Sequence, residues 1–168
     1  MTGADREILD DLIRTRTQTL SLLGIVPDEL LVCQAEGETR PLAWVFEHIG
    51  VGANWWMDHV MRDGVGWTPE CGGLSSGELH DVLTRSQDRV FEFFNREDGC
   101  ALSSRYDYPL PQGGTRSLTG RWCVLYLIQH EVHHRGKIVL ALRQWGINNL
   151  PAMPYGEWWQ QVASGGSK

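Results

Sequence analysis

The sequence predicts an all-α fold, a four-helix bundle with long inter-helix connections and a short C-terminal helix. Apolar residues recur at three- and four-residue steps over four stretches of helical length. No remaining segment alternates as a good strand should. The connections before the second and fourth helices exceed the short turns of a minimal up-down-up-down bundle. A chain of 168 residues has enough side chains for one substantial core, so a single domain over 1–168 is expected, with 165–168 as a flexible tail.

The first helix is expected over residues 5–23, where Ile8, Leu12, Thr15, Thr19 and Leu22 share a stripe that stops at Gly24. Residues 25–40 hold Pro27 and Gly37 and read as a loop with at most a short turn. Periodicity returns from Pro41, suited to a first helical turn because it lacks an N–H, and continues to about Met61 before Asp63, Gly64 and Gly66. Ser75 and Glu78 have capping-box spacing. Leu79, Val82, Leu83, Ser86, Val90, Phe93 and Phe94 then mark a third helix that closes near Gly99. Residues 100–117, with two prolines and Gly113-Gly114, read as an extended excursion or short hairpin. The fourth helix starts at the cap Thr119 and runs to about Trp145, ending at Gly146. Residues 155–163 form the short final helix.

Composition narrows the function. A net charge of −6 provides no basic footprint for nucleic acid. No apolar run reaches the roughly 18 residues of a membrane span, and the acidic start, Met1 to Asp11, does not resemble a signal peptide. Cys33, Cys71, Cys100 and Cys123 are widely spaced, without a C-x-x-C pair, so mostly free thiols and a cytoplasmic location are expected. G-x-S-x-G, P-loop and G-x-G-x-x-G motifs are absent.

The chemistry concentrates in Gln129-His130-Glu131-Val132-His133-His134-Arg135-Gly136-Lys137. With His130 taken as zero on the helical wheel, His134 falls at about 40°, among Leu127, Ile138, Ala141 and Trp145 at about 20–80°. His133, at about 300°, faces the rim or solvent. His48 shares its direction with Trp44, Val45, Gly52, Trp55 and His59, which makes it core-facing as well. His48, His130 and His134 are therefore candidate metal ligands from facing helices, with at least one coordination position left open. The competing reading for each is a hydrogen-bonded core histidine. An i,i+4 pair of buried imidazoles favours a shared proton, partner or cation. Glu131 is the candidate catalytic carboxylate, orienting a ligand ring or accepting a proton from metal-bound water. A salt bridge to Arg135 is the structural alternative. His130 to His134 also matches H-E-x-x-H as a bare string, which keeps a metallopeptidase open, although no further histidine follows. Trp55, Trp56, Trp122, Trp145, Trp158 and Trp159 suit either a core or dimer surface or an apolar substrate pocket. Tyr106 and Tyr108 are placed to reach the mouth of the site.

His48, within Trp44-Val45-Phe46-Glu47-His48-Ile49, and His130, His134, Arg135 and Gly136 together resemble the DinB/YfiT-like superfamily of metalloenzymes. Members combine a histidine on the second helix with H-x-x-x-H-R-G-Q on the last long helix. Lys137 stands here where glutamine is usual. The resemblance covers essentially the whole chain and implies a DinB-like four-helix bundle, a divalent ion (zinc or nickel) on the three histidines, and a homodimer. Relatives of this type include thiol-dependent S-transferases and a mycothiol-dependent maleylpyruvate isomerase. The function implied is transfer of a low-molecular-weight thiol co-substrate to an electrophilic small molecule. A non-catalytic metal-binding, stress-associated role and metal-dependent hydrolysis are the alternatives. Gly136, costly inside a helix, fits a close helix crossing over the site.

Overall fold

Side-chain capping explains where three of the four long helices begin. In the computed structural model, which describes residues 1–66 and 73–151, α1 (Gly3–Leu23) starts at a capping box. Thr2 Oγ accepts from the Asp5 N–H and the Asp5 carboxylate accepts from the Thr2 N–H. This places the start two residues before the periodic stripe, because a cap satisfies backbone donors that hydrophobic spacing does not register. A single turn, α2 (Asp28–Leu31), interrupts the first connection, and α3 (Leu42–Trp56) follows Pro41. The Ser75–Glu78 capping box opens α4 (Ser76–Asn95). Thr119 accepts from the Trp122 N–H at the start of α6 (Gly120–Gln144).

The second long helix does not run uniformly to Met61. Met57–Met61 forms a π-helical turn, and Arg62 stops it in the left-handed region at φ 52°, a conformation that costs a non-glycine residue about 1 kcal/mol. Arg89 on α4 brackets this turn. Its guanidinium donates to Asp58 at 2.5 Å, to both oxygens of Asp63 at 2.5 and 2.7 Å, and to Asn54 Oδ1 at 3.2 Å.

α4 stops at Asn95 and gives way to a 3₁₀ turn (Arg96–Gly99), and the 100–117 excursion resolves into the short α5 (Cys100–Ser103) and an antiparallel hairpin. Its strands β1 (Arg105–Pro109) and β2 (Thr115–Thr119) pair with Arg105 opposite Thr119 and Pro109 opposite Thr115. The expected final helix at 155–163 lies outside the described residues.

The four long helices form a closed square in which α1 packs on α4 and α6, and α3 packs on the same two. Successive helices α1 and α3 therefore occupy one diagonal, and α4 and α6 the other. Short turns cannot cross a diagonal, which is why the connections before α3 and α6 are long. Gly50 lets α3 close on α4, since a Cβ there would stand 2.7 Å from Val82 Cγ1.

Two apolar clusters fill the square. One joins Leu22, Phe46, Leu83 and Leu142; the other joins Leu12, Met57, Phe94 and Leu127. Between them lies a buried polar layer comprising Arg16, Ser86, Glu131 and Arg135. Arg16 Nε donates to both oxygens of Glu131 at 2.9 and 3.1 Å, and its Nη1 donates to Ser86 Oγ at 2.8 Å and to the Leu83 carbonyl. Arg135 Nη1 donates to the Thr15 carbonyl at 2.9 Å. Buried ions of this kind require such partners, because desolvation otherwise costs several kcal/mol per charge.

Candidate metal centre

At the level of the polar layer, α3 and α6 bring three imidazoles together. His48, His130 and His134 each offer a nitrogen, and these nitrogens all lie within 4.8 Å of one another. His48 Nε2 and His130 Nε2 are 3.2 Å apart. Nitrogens bound at about 2.1 Å to one divalent ion stand roughly 3–3.4 Å apart, so this spacing fits a shared cation. His134 Nδ1 is buried with no hydrogen-bond partner among the described residues. A buried nitrogen without a partner calls for an electrophile, either a proton or a metal.

Electrostatics select between them. Burial lowers the His130 pKa to about 4, with the neighbouring His48 adding to the effect. Burial lowers His134 to about 3, helped by His130 and His48. His48 moves down as well, again mainly by burial, against the opposing pull of Glu47. All three rings are neutral at pH 7, the state in which imidazole donates a lone pair to a metal.

Other residues hold these rings in place. Trp44 stacks on His48 with centroids 4.7 Å apart and planes 11° from parallel. Tyr126, one turn before His130, stacks against it at 6.2 Å. Gly52 makes room, since a Cβ there would lie 3.1 Å from His130 Cε1. A cavity of ≈330 Å³ opens beside His48 and His130, walled chiefly by aromatic rings. The centre therefore combines three neutral donors with an adjoining apolar recess, an arrangement suited to activating one small molecule next to another.

Several sequence expectations change in detail. The buried face of α6 is centred on Glu131 and Arg135 rather than on the histidines, which flank it and are only partly buried. His48 likewise sits at the edge of the core, since Trp44, Trp55 and His59 on its face are exposed. That half-open position leaves the site accessible. Glu131 engages neither a ligand ring nor Arg135 in the hydrogen bonds described; its carboxylate lies in the ion pair with Arg16, each side chain 3% exposed. Gly136 is exposed with open space where a Cβ would be, so no helix among the described residues crosses there. The close approach falls at Gly50 and Gly52.

His133 faces solvent, as its wheel angle indicates. His59 is exposed and stacks on Trp55 at 4.9 Å instead of lining the cavity. Tyr108 reaches the cavity, whereas Tyr106 packs on the cluster of Leu12 and Phe94 and donates its hydroxyl to the Ala101 carbonyl. Trp55 and Trp56 line the recess, and Trp145 packs on the cluster of Leu22 and Phe46. Trp158 and Trp159 lie outside the described residues. Lys137 pairs with Glu38 at 3.1 Å. Cys33, Cys100 and Cys123 are free thiols, and Cys71 is outside the described residues. Among the described residues no helix is long and apolar enough to cross a membrane.

Arg16 is the structural partner that sequence reasoning missed. Its signal was positional, because it stands one turn after Leu12 on the buried face of α1. Tyr126 carried a similar signal, one turn before His130.

Comparison with known proteins agrees with this architecture. Residues 11–138 match the profile of the DinB superfamily. A DinB-like protein from Bacillus cereus has a similar structure, with a TM-score of 0.68 and 21% identity over 86% of this chain and 94% of that one. The DinB-like protein YjoA from Bacillus subtilis gives a TM-score of 0.65 at 16% identity, over 88% of this chain and 97% of that one. No curated protein matches the sequence significantly.

Proposed function

Because this chain belongs to the DinB superfamily, we propose that it is a divalent-metal-dependent enzyme that transfers a low-molecular-weight thiol to an electrophilic small molecule. The observation that carries this reading is the convergence of three neutral imidazoles beside an aromatic-walled recess. His48, His130 and His134 would hold the ion, with zinc or nickel suited to an all-imidazole donor set. When bound, the ion would supply a Lewis acid that lowers the pKa of a thiol entering its open position.

The chain's own residues supply position and exclusion of water. Trp44 and Tyr126 fix the planes of His48 and His130. Glu131, through Arg16, ties α6 to α1 at the height of the histidines and so acts as a positioning residue. That commitment also favours a thiol over water as the nucleophile. Hydrolysis calls for a carboxylate free to take a proton, and Glu131 is held by a guanidinium. A thiol, with a pKa of about 8.5, needs far less help to ionise. In the transfer the S–H bond breaks, with its proton passing to solvent, and a new S–C bond forms at the electrophilic carbon. The leaving group departs with its bonding pair, so no oxidant or reductant is needed.

Elemental analysis of protein purified without added metal tests the first half of the proposal. Near-stoichiometric divalent metal is expected in the native chain, with affinity at least about 100-fold weaker in His130→Ala. Unchanged occupancy in that variant would remove the ligand assignment. Incubation with small thiols and electrophilic acceptors tests the second half, where turnover should appear in the native chain and vanish in His134→Ala. No turnover with a fully metal-loaded protein across such a panel would leave a metal-binding protein without transferase activity.

A further inference from the structure

We infer that the recess beside the histidines binds a neutral, planar aromatic molecule of one or two rings. The inference rests on the proposed transferase reading only for the fate of the bound molecule, which would be the electrophilic acceptor.

The walls are aromatic and packed on one another. Trp56 is 6% exposed and is flanked by Tyr108 at 5.1 Å and Tyr126 at 4.7 Å. Trp55 stands edge-on to it, with centroids 6.1 Å apart and planes at 76°, and is 38% exposed at the rim. A ligand ring entering the recess is therefore surrounded by rings able to pair with it face-on or edge-on, the two arrangements aromatic pairs prefer. Val51 and Gly52 complete the lining with little bulk. The volume of ≈330 Å³ lies at the lower end of the roughly 300–1,000 Å³ usual for small-molecule sites, which limits the guest to a compact one.

Charge decides the class. Among the described residues the lining consists of indole, phenol, imidazole and aliphatic groups, with no Asp, Glu, Lys or Arg. With no ion on the histidines, a carboxylate or ammonium entering it would lose hydration without gaining a counter-charge, whereas a neutral ring loses little. Aromatic walls can also attract a quaternary ammonium. Here that attraction would have no carboxylate to assist it and would be opposed by any cation on the histidines, so the neutral ring is favoured.

Isothermal titration calorimetry with three probes of one shape tests this: 2-naphthalenemethanol, 2-naphthoate and (2-naphthylmethyl)trimethylammonium. Each is titrated into the full chain as isolated and after chelation. In the chelated protein the neutral probe should bind at least about tenfold more tightly than either charged analogue, and its affinity should survive chelation. Trp55→Ala should weaken it about tenfold. Val51→Trp, which fills the recess, should abolish binding while cooperative thermal unfolding persists. No saturable binding of the neutral probe, equal binding of a charged analogue in the chelated protein, or binding unchanged in both variants would overturn the inference. Metal content measured on the same samples keeps the two proposals separate: missing metal counts against the metal site whichever probe binds, and a failed probe series counts against the aromatic site even in fully loaded protein.

Discussion

Replacing Arg16 with methionine isolates the energetics of the buried polar layer. Methionine retains much of the aliphatic stem, so packing changes little, but the Glu131 carboxylate loses the donor that lies 2.9 and 3.1 Å from its two oxygens. Both side chains are 3% exposed, so water cannot replace that donor without opening the bundle. Breaking a buried pair on one side typically costs about 3–5 kcal/mol. A chain of this length loses about 2–4 °C of Tm per kcal/mol, so Tm should fall by roughly 6–20 °C. Urea denaturation of the metal-free protein at neutral pH measures the cost directly. The double variant Arg16→Met/Glu131→Leu removes both charges and should recover most of the loss, because the penalty lies in the uncompensated ion rather than in the absence of the pair. A loss below about 1 kcal/mol in the single variant, or no recovery in the double variant, would refute the reasoning.

Three further outcomes follow from the same geometry. Gly52→Ala places a methyl group 3.1 Å from His130 Cε1; the ring must shift by a few tenths of an ångström, and metal affinity should fall several-fold while Tm holds or rises, because alanine favours a helix by about 1 kcal/mol. Equal affinity in a competition titration would show that the ring is not confined there. Gly136→Ala, at an exposed helical position with open space around it, should raise Tm by about 2–4 °C with metal affinity unchanged, and a fall would reveal a contact on that face. For pH dependence, His130 and His134 are pushed down to about 4 and 3. Above pH 6.5 folded and unfolded chains are both neutral at these rings. Below it the unfolded chain binds the extra protons, so the metal-free protein loses stability as pH falls from about 6.5 toward 4. Thermal scans across that range should show a slope that flattens in His134→Leu; a parallel slope would assign the effect to other groups.

The helical elements were legible in the sequence because amphipathic spacing and caps are local. Ser75 with Glu78, and Thr119 before Trp122, mark helix starts through bonds made within three residues. The histidine triad was legible for the same reason on α6, where His130 and His134 stand one turn apart, with His48 joining them through a helix facing α6. What local spacing cannot carry is the choice among buried faces. The wheel placed the histidines with the apolar stripe, yet the face that turns inward is centred on Glu131 and Arg135, because partners on α1 make those charges tolerable in the core. Glu131 therefore finds Arg16, 115 residues away, a partner that no local spacing marks. The π-helical turn at Met57–Met61 was hidden as well, since the Arg89 contacts to Asp58 and Asp63 that bracket it come from across the bundle, on α4.

The diagonal placement of consecutive helices has a consequence for how the chain folds. Only α3 and α4 are both sequential and adjacent; every other packed pair among the four joins segments remote in sequence. Closing long loops costs entropy before packing returns it, so the α3–α4 pair is the least costly contact of the square to form. His48 belongs to that pair, whereas His130 and His134 lie on α6, with His130 82 residues away. The triad therefore exists only where α3 and α6 meet, and binding at it would act as a latch that holds those two remote helices together.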